Sequence, residues 1–141
     1  MDIVALRTEL QQDPKTLGYA AHITSGNDQA IADILNTTGA TSEVVLREAV
    51  DAREIVQCFV YSEWLALTAD QKAYINMAIS AGTVDPSNAN IGVAFGTIFD
   101  AGTQTILNLV AMATRPASRA EVVLGRGVSV SATDIAHALR G

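Results

Sequence analysis

Leu6-Arg7-Thr8-Glu9-Leu10, then Asp13-Pro14-Lys15-Thr16-Leu17-Gly18-Tyr19-Ala20, then Asp28-Gln29-Ala30-Ile31-Ala32-Asp33-Ile34-Leu35-Asn36 is the stretch whose reading decides the fold class. Asp2 is placed to cap a first helix running to about Gln12, with Ile3 or Val4, Leu6 and Leu10 on one face. Pro14 stops that helix, because the residue before a proline is pushed out of the helical region. Gly18-Tyr19-Ala20-Ala21-His22 reads as an irregular crossover. Asn27 or Ser25 then caps a second helix with Ala30, Ile31, Ile34 and Leu35 as its apolar stripe, and Gly39 follows its end. Helix, broken turn and helix predict an α-helical chain.

The same grammar continues downstream. Asp51-Ala52-Arg53-Glu54 and Thr68-Ala69-Asp70-Gln71 each read as a capping box, in which the cap side chain and the third helical residue satisfy one another's amides. The first opens a helix carrying Ile55, Val56 and Phe59 inward, and the second one carrying Tyr74, Ile75, Ala78 and Ile79. Tyr61-Ser62-Glu63-Trp64-Leu65-Ala66-Leu67 reads as a short helical turn, and Gly82 as a terminator. Asp85-Pro86-Ser87-Asn88 is a loop. Beyond it, Gly92 and Gly96 leave a smooth strip on a helix where a neighbouring helix could approach closely. The dense apolar run Ile106-Leu107-Asn108-Leu109-Val110-Ala111-Met112 reads as a buried helix. Pro116 suits the first turn of a helix reaching Leu124 and stopped at Gly125. Ser131 caps the last helix, with Ile135, Ala138 and Leu139 inward. Two β-branched pieces, Glu43-Val44-Val45-Leu46-Arg47 and Gly127-Val128-Ser129-Val130-Ser131, could pair as a ribbon. The expectation is a mainly α, compact bundle of about six to seven short helices with at most one small two-stranded β ribbon. Residues 1–141 form a single domain in this reading, with 1–40 an N-terminal helix-turn-helix segment and 115–141 a basic segment packed on the same core.

Composition bounds function by exclusion. Apolar residues make up 49% of the chain and aromatics 5%, so the core must come from Ala, Val, Ile and Leu. No apolar run is long enough to cross a bilayer. Met1-Asp2-Ile3-Val4 lacks a basic or signal-like pattern, so synthesis in the cytoplasm and no membrane contact are expected. Cys58 is the only cysteine and reads as a small buried hydrophobe. The net charge of −6 argues against nucleic acid as a partner. That charge is uneven: up to Thr114 there are five basic and thirteen acidic side chains, whereas Arg115, Arg119, Arg126 and Arg140 then face only Glu121 and Asp134. An acidic body with a basic end could join copies head to tail.

Catalytic chemistry finds no motif. His22 and His137 share no metal-ligand spacing with each other or with Cys58, and no local pattern supports a nucleophile–histidine–acid set. Gly125-Arg126-Gly127 lacks the rest of a phosphate-binding loop and reads as a helix stop followed by a turn. No catalytic residue, metal, cofactor or small-molecule substrate is therefore expected, and the protein is read as no enzyme. The candidate residues are interface residues. Leu6, Leu10, Pro14 and Tyr19 belong to the N-terminal docking segment. Trp64 is a core anchor or an interface hot spot. Arg115 and Arg119, four apart, could grip a partner or be solvated, and Arg126 follows them.

Several pieces together resemble small structural proteins of tailed bacteriophages. They are Leu6-Arg7-Thr8-Glu9-Leu10 with Asp13-Pro14, Gly18-Tyr19-Ala20, Ala32-Asp33-Ile34-Leu35-Asn36, Ser62-Glu63-Trp64-Leu65-Ala66-Leu67, Ser118-Arg119-Ala120-Glu121, Leu124-Gly125, and the stretch from Val128-Ser129-Val130 to Ala138. The chain departs from that pattern at Lys15-Thr16-Leu17, where a Gly-x-Gly-Tyr-Ala run is expected, and at the apolar pair Val122-Val123. The resemblance implies a non-enzymatic virion protein, a multi-copy adaptor or assembly component of the tail (baseplate or fibre attachment) or neck. Its partners would be other phage structural proteins and copies of itself. The alternatives are an assembly chaperone missing from the mature particle and a capsid-associated minor protein.

Overall fold

Short polar side chains start nearly every helix of this protein, and that is why a sequence so rich in apolar residues still folds into defined helices. A computed structural model describes all residues 1–141. In chain order the elements are α1 (Ile3–Gln12), α2 (Tyr19–Ser25), α3 (Asp28–Asn36), β1 (Val44–Leu46), β2 (Val50–Asp51), α4 (Ala52–Cys58), α5 (Tyr61–Leu65), α6 (Ala69–Ile79), β3 (Thr83–Val84), α7 (Ala89–Ile98), α8 (Gln104–Ala113), β4 (Thr114–Pro116), α9 (Arg119–Leu124) and α10 (Ala132–Arg140). The fold is mainly α with two small two-stranded sheets, β1 with β4 and β2 with β3. Asp2, Asn27, Asp51, Thr68, Asn88, Thr103, Ser118 and Ser131 each accept a bond from the amide three residues on. Each cap is worth about 1 kcal/mol. Reciprocal boxes form at Asp51–Glu54 and Thr68–Gln71 as expected, and also at Ser118–Glu121 and Ser131–Asp134.

The chain divides into two compact units, Met1–Val45 with Pro116–Gly141, and Leu46–Arg115. Each has its own core, where the composition had suggested one core for 1–141. In the first unit, α10 packs on α3 and α1, α9 packs on the same two helices, and α2 lies on α3. Leu6, Tyr19, Ile31, Leu35 and Ile135 are wholly buried there. Residues 116–141 do share the core of the N-terminal segment. Backbone bonds Gly39 N–H to Ala117 O and Ala117 N–H to Glu43 O, both 3.0 Å, close the two pieces of chain on each other.

In the second unit β2 and β3 pair antiparallel, Val50 opposite Val84 and Asp51 opposite Thr83. Helix α4 packs on α8 and β2, and α6 on β3. Ile55, Ile75, Val84, Phe99 and Leu109 are buried between them.

Several sequence readings are corrected here. The crossover at residues 18–22 is instead the start of α2, because Gly18 turns the chain in the left-handed region (φ 90°) and helix follows at once. Residues 127–131 form no strand. The Asn36 side chain takes both the N–H and the C=O of Val130, at 2.9 and 2.7 Å, and so satisfies the groups a ribbon would have used. Pro116 ends β4 rather than opening a helix, and Ser118 supplies the cap of α9. Val56 is exposed rather than inward. The helices number ten, among them the short α5 and α9, the latter held by the Ser118–Glu121 box.

Helix α6 offers a test of which face is core. Ile75 is fully buried whereas Met77, two residues on, is 64% exposed. Ile75→Ala should cost about 2–5 kcal/mol, and Met77→Ala no more than about 0.5 kcal/mol, as read from urea unfolding curves.

Candidate functional site

The N-terminal segment expected to dock a partner is largely interior. Leu6, Leu10 and Tyr19 are core residues of the first unit, so they hold α1 and α2 in place and are not available to a partner. Only Pro14 of that group is exposed. Beside it Asp13 takes a left-handed conformation (φ 42°), and its carboxylate accepts bonds from the amides of Leu17 (2.6 Å) and Gly18 (2.8 Å). An Asp side chain can stabilise that conformation locally, so the Asp-Pro break is a structural turn.

Arg119 is likewise buried, 8% exposed, and grips carboxylates of its own chain rather than a partner's. Its Nε and Nη2 bond Glu9 at 2.8 Å each, and Nη1 reaches Glu43 at 3.0 and 3.1 Å. The Tyr19 hydroxyl donates to Glu9 at 3.2 Å, and Lys15 lies 3.4 Å from Glu43. Fork geometry suits arginine to hold two carboxylates at once. Burial and the neighbouring Glu9 push the Tyr19 phenol well above its ordinary range. Burial would raise the Glu43 carboxyl, but bonds from Thr41, Arg119 and Lys15 outweigh it and hold the group below the ordinary value. The remaining predicted cations lie elsewhere: Arg115 is half-buried in β4, and Arg126 is exposed in the turn after α9.

In the second unit Trp64 is half-buried and packs against the core. It stacks on Phe59 (centroids 5.2 Å apart), which stacks on Phe99 (5.6 Å), and the Lys72 ammonium sits 5.8 Å over the indole. Its neighbour Glu63 caps α8, accepting from the amides of Thr105 (2.8 Å) and Gln104 (3.1 Å). The Thr105 side chain first, and then these amides, hold the Glu63 carboxyl below its ordinary value. Cys58 is buried as expected and its Sγ–H faces Glu54 O at 3.3 Å; burial raises the thiol pKa. No three His, Cys, Asp or Glu side chains gather as a metal-binding group.

What the second unit does present is uncovered apolar surface. Tyr61, Leu65, Met77, Val93, Leu107 and Val110 are all large, apolar and exposed. Helix α7 is apolar on nearly all sides, yet buries only Phe95. Helix α8, read from the sequence as buried, leaves Leu107 and Val110 outward. A groove of about 290 Å³ opens between them, lined by Val50, Ile55, Val84, Phe95, Leu109 and Met112 among others. Gly92 and Gly96 have no neighbour within 4 Å of where a Cβ would stand, so the close helix approach expected at this strip does not occur within the chain. Sequence reasoning missed this surface, although a helix apolar all round is normally buried on all sides.

No family model matches the chain, and neither curated proteins nor solved structures give a match.

Arg119 yields the prediction of this site. Arg119→Met strands the buried Glu9 without a cation and leaves Glu43 only Lys15, and should lower stability at pH 7 by about 3–5 kcal/mol. Because the Glu43 pKa is depressed in the folded state, its contribution is present above the ordinary carboxylate value of 4.5 and lost as pH falls through the folded value. The gap between wild type and Arg119→Met, read from urea midpoints, should therefore narrow from pH 7 towards pH 3.

Proposed function

We propose that this protein is a non-enzymatic assembly component of a tailed-bacteriophage particle, present in several copies and acting through protein–protein contact. The observation that carries the reading is the apolar surface of the second unit. Exposed apolar patches of a folded chain mark contact sites, and here they recur on α4, α5, α6, α7 and α8 at Val56, Tyr61, Leu65, Met77, Val93 and Leu107. The segments resembling phage structural proteins support the setting, in the tail or neck. They do so through residues that build the first unit as well as through Trp64 in the second.

In this reading the contact lies away from the N-terminal segment. Arg119 and the α1 face are committed internally, so the first unit serves as a scaffold and the second carries the contact. Apolar burial would supply affinity, and charged residues outside the contact its orientation.

Mass spectrometry of washed virions should find the chain in a fixed ratio to the other structural proteins. Abundance in infected lysate with absence from particles would favour the assembly-chaperone reading instead.

A further inference from the structure

We infer that the aromatic cleft beside Trp64 takes an extended, proline-rich segment of another protein. Its biological setting rests on the assembly reading above, to which it adds a class of partner.

The cleft lies in the second unit and has a volume of about 350 Å³. Val56 of α4, Phe59 just after it, Tyr61 and Trp64 of α5, and Asn76 and Ile79 of α6 line it. A chain with only three Phe, three Tyr and one Trp thus places one of each on a single small opening. Phe59 and Trp64 stack, which fixes their rings as a wall, while Tyr61 stands 75% exposed. Polar atoms are present too, and they are unspent. The indole N–H of Trp64, the Tyr61 hydroxyl and the Asn76 carboxamide bond no group of the chain. The indole nitrogen is not sealed off, since the one buried side-chain atom without a partner is an oxygen of Asp28. Neighbouring polar groups are already committed. Glu63 accepts from the amides of Gln104 and Thr105, and the Cys58 carbonyl accepts from the Asn108 carboxamide.

These groups select the occupant. No charged side chain lines the cleft. The Lys72 ammonium, 5.8 Å from the indole centroid, already serves that ring and would repel a second cation. An anion would find this one lysine on a chain of net charge −6. A neutral ligand remains. Of the unspent groups the indole only donates, and the carboxamide carries more N–H than oxygen. No carboxylate lines the cleft to accept in return. The ligand must therefore bring acceptors and few donors. An ordinary extended peptide brings an N–H at every residue, and a sugar brings a donor on every hydroxyl. Donors left unpaired against the apolar wall cost free energy. Proline has a carbonyl and no N–H. A proline-rich segment holds the polyproline II conformation, whose carbonyls are free of internal bonds. Its order is set before binding, and aromatic-lined grooves are where such segments dock. A second copy does not supply the segment, because Pro14, Pro86 and Pro116 stand singly in this chain.

Trp64 is the only tryptophan, so its fluorescence reports on the cleft directly. A decaproline peptide titrated into the full chain over about 1 µM to 1 mM should shift the emission saturably. Tyr61→Ala and Asn76→Ala should each weaken that binding about tenfold or more. Their circular dichroism spectra should stay those of wild type, because both side chains are exposed. Val93→Ala, at an exposed apolar position that does not line the cleft, should bind as wild type does. A glycine–serine peptide of the same length and a chito-oligosaccharide should give no shift. Decaproline that produces no saturable shift overturns the proposal. So do Tyr61→Ala and Asn76→Ala variants that bind like wild type, and equal binding of the glycine–serine peptide or the sugar. A chain that binds decaproline through this cleft yet is missing from both virions and assembly intermediates overturns the phage reading and leaves the cleft's ligand standing.

Discussion

The guanidinium of Arg119 is the constraint on which the first unit depends. It stands in α9 and holds Glu9 of α1 and Glu43 of the segment before β1, with both carboxylates gripped at two oxygens. A cation buried this deeply is tolerable only because each of its nitrogens is satisfied. Removing Arg119 or Glu9 would leave a desolvated charge, so the cluster ties the three segments together. The apolar contacts around it, Leu6 and Tyr19 against Ile31 and Ala120, are less selective. They would tolerate several packings, and the ion cluster singles out one.

The second unit is held differently. A two-residue ladder, an apolar core and side-chain caps on four of its five helices order it. Glu63 shows the economy of this arrangement: a side chain on one helix satisfies the orphan amides at the start of another. The Thr105 hydroxyl in turn accepts from the amide of Val60 at 3.0 Å, a bond made by a wholly buried side chain. With polar groups settling the helix ends, the apolar residues of α7 and α8 are not all needed inside. That is how a small unit can keep its fold and still show Val93 and Leu107 to solvent.

Much of the fold was legible in the sequence because helix ends are local. Asp2, Asn27, Asp51, Thr68 and Ser131 announced their helices within three or four residues. Ser118-x-x-Glu121 carried the same signal, and was obscured by the assumption that Pro116 opened the helix. Long-range decisions were not legible. Arg119 meets Glu9 across 110 residues of sequence, and nothing local distinguishes an arginine that serves the interior from one that serves a partner. The division into two cores was hidden for the same reason, since apolar periodicity says which face is buried but not against what. The candidate surface could have been suspected from the long uncharged run alone. Its Ile106–Met112 part reads as buried helix, because apolar density does not distinguish burial in the same chain from burial by another.

The first unit is assembled from the two ends of the chain, with residues 46–115 between them. On the ribosome this imposes an order. Glu9, Leu6 and Tyr19 emerge early, yet the arginine that claims Glu9 and the helix α10 that covers α1 are made last. At typical synthesis rates of about 5–20 residues per second, the intervening 70 residues take several seconds. By the end of that interval the strands and helices of the middle unit have all been made, while the N-terminal helices still have no finished partner. Residues 116–141 thus complete the unit that residues 1–45 began.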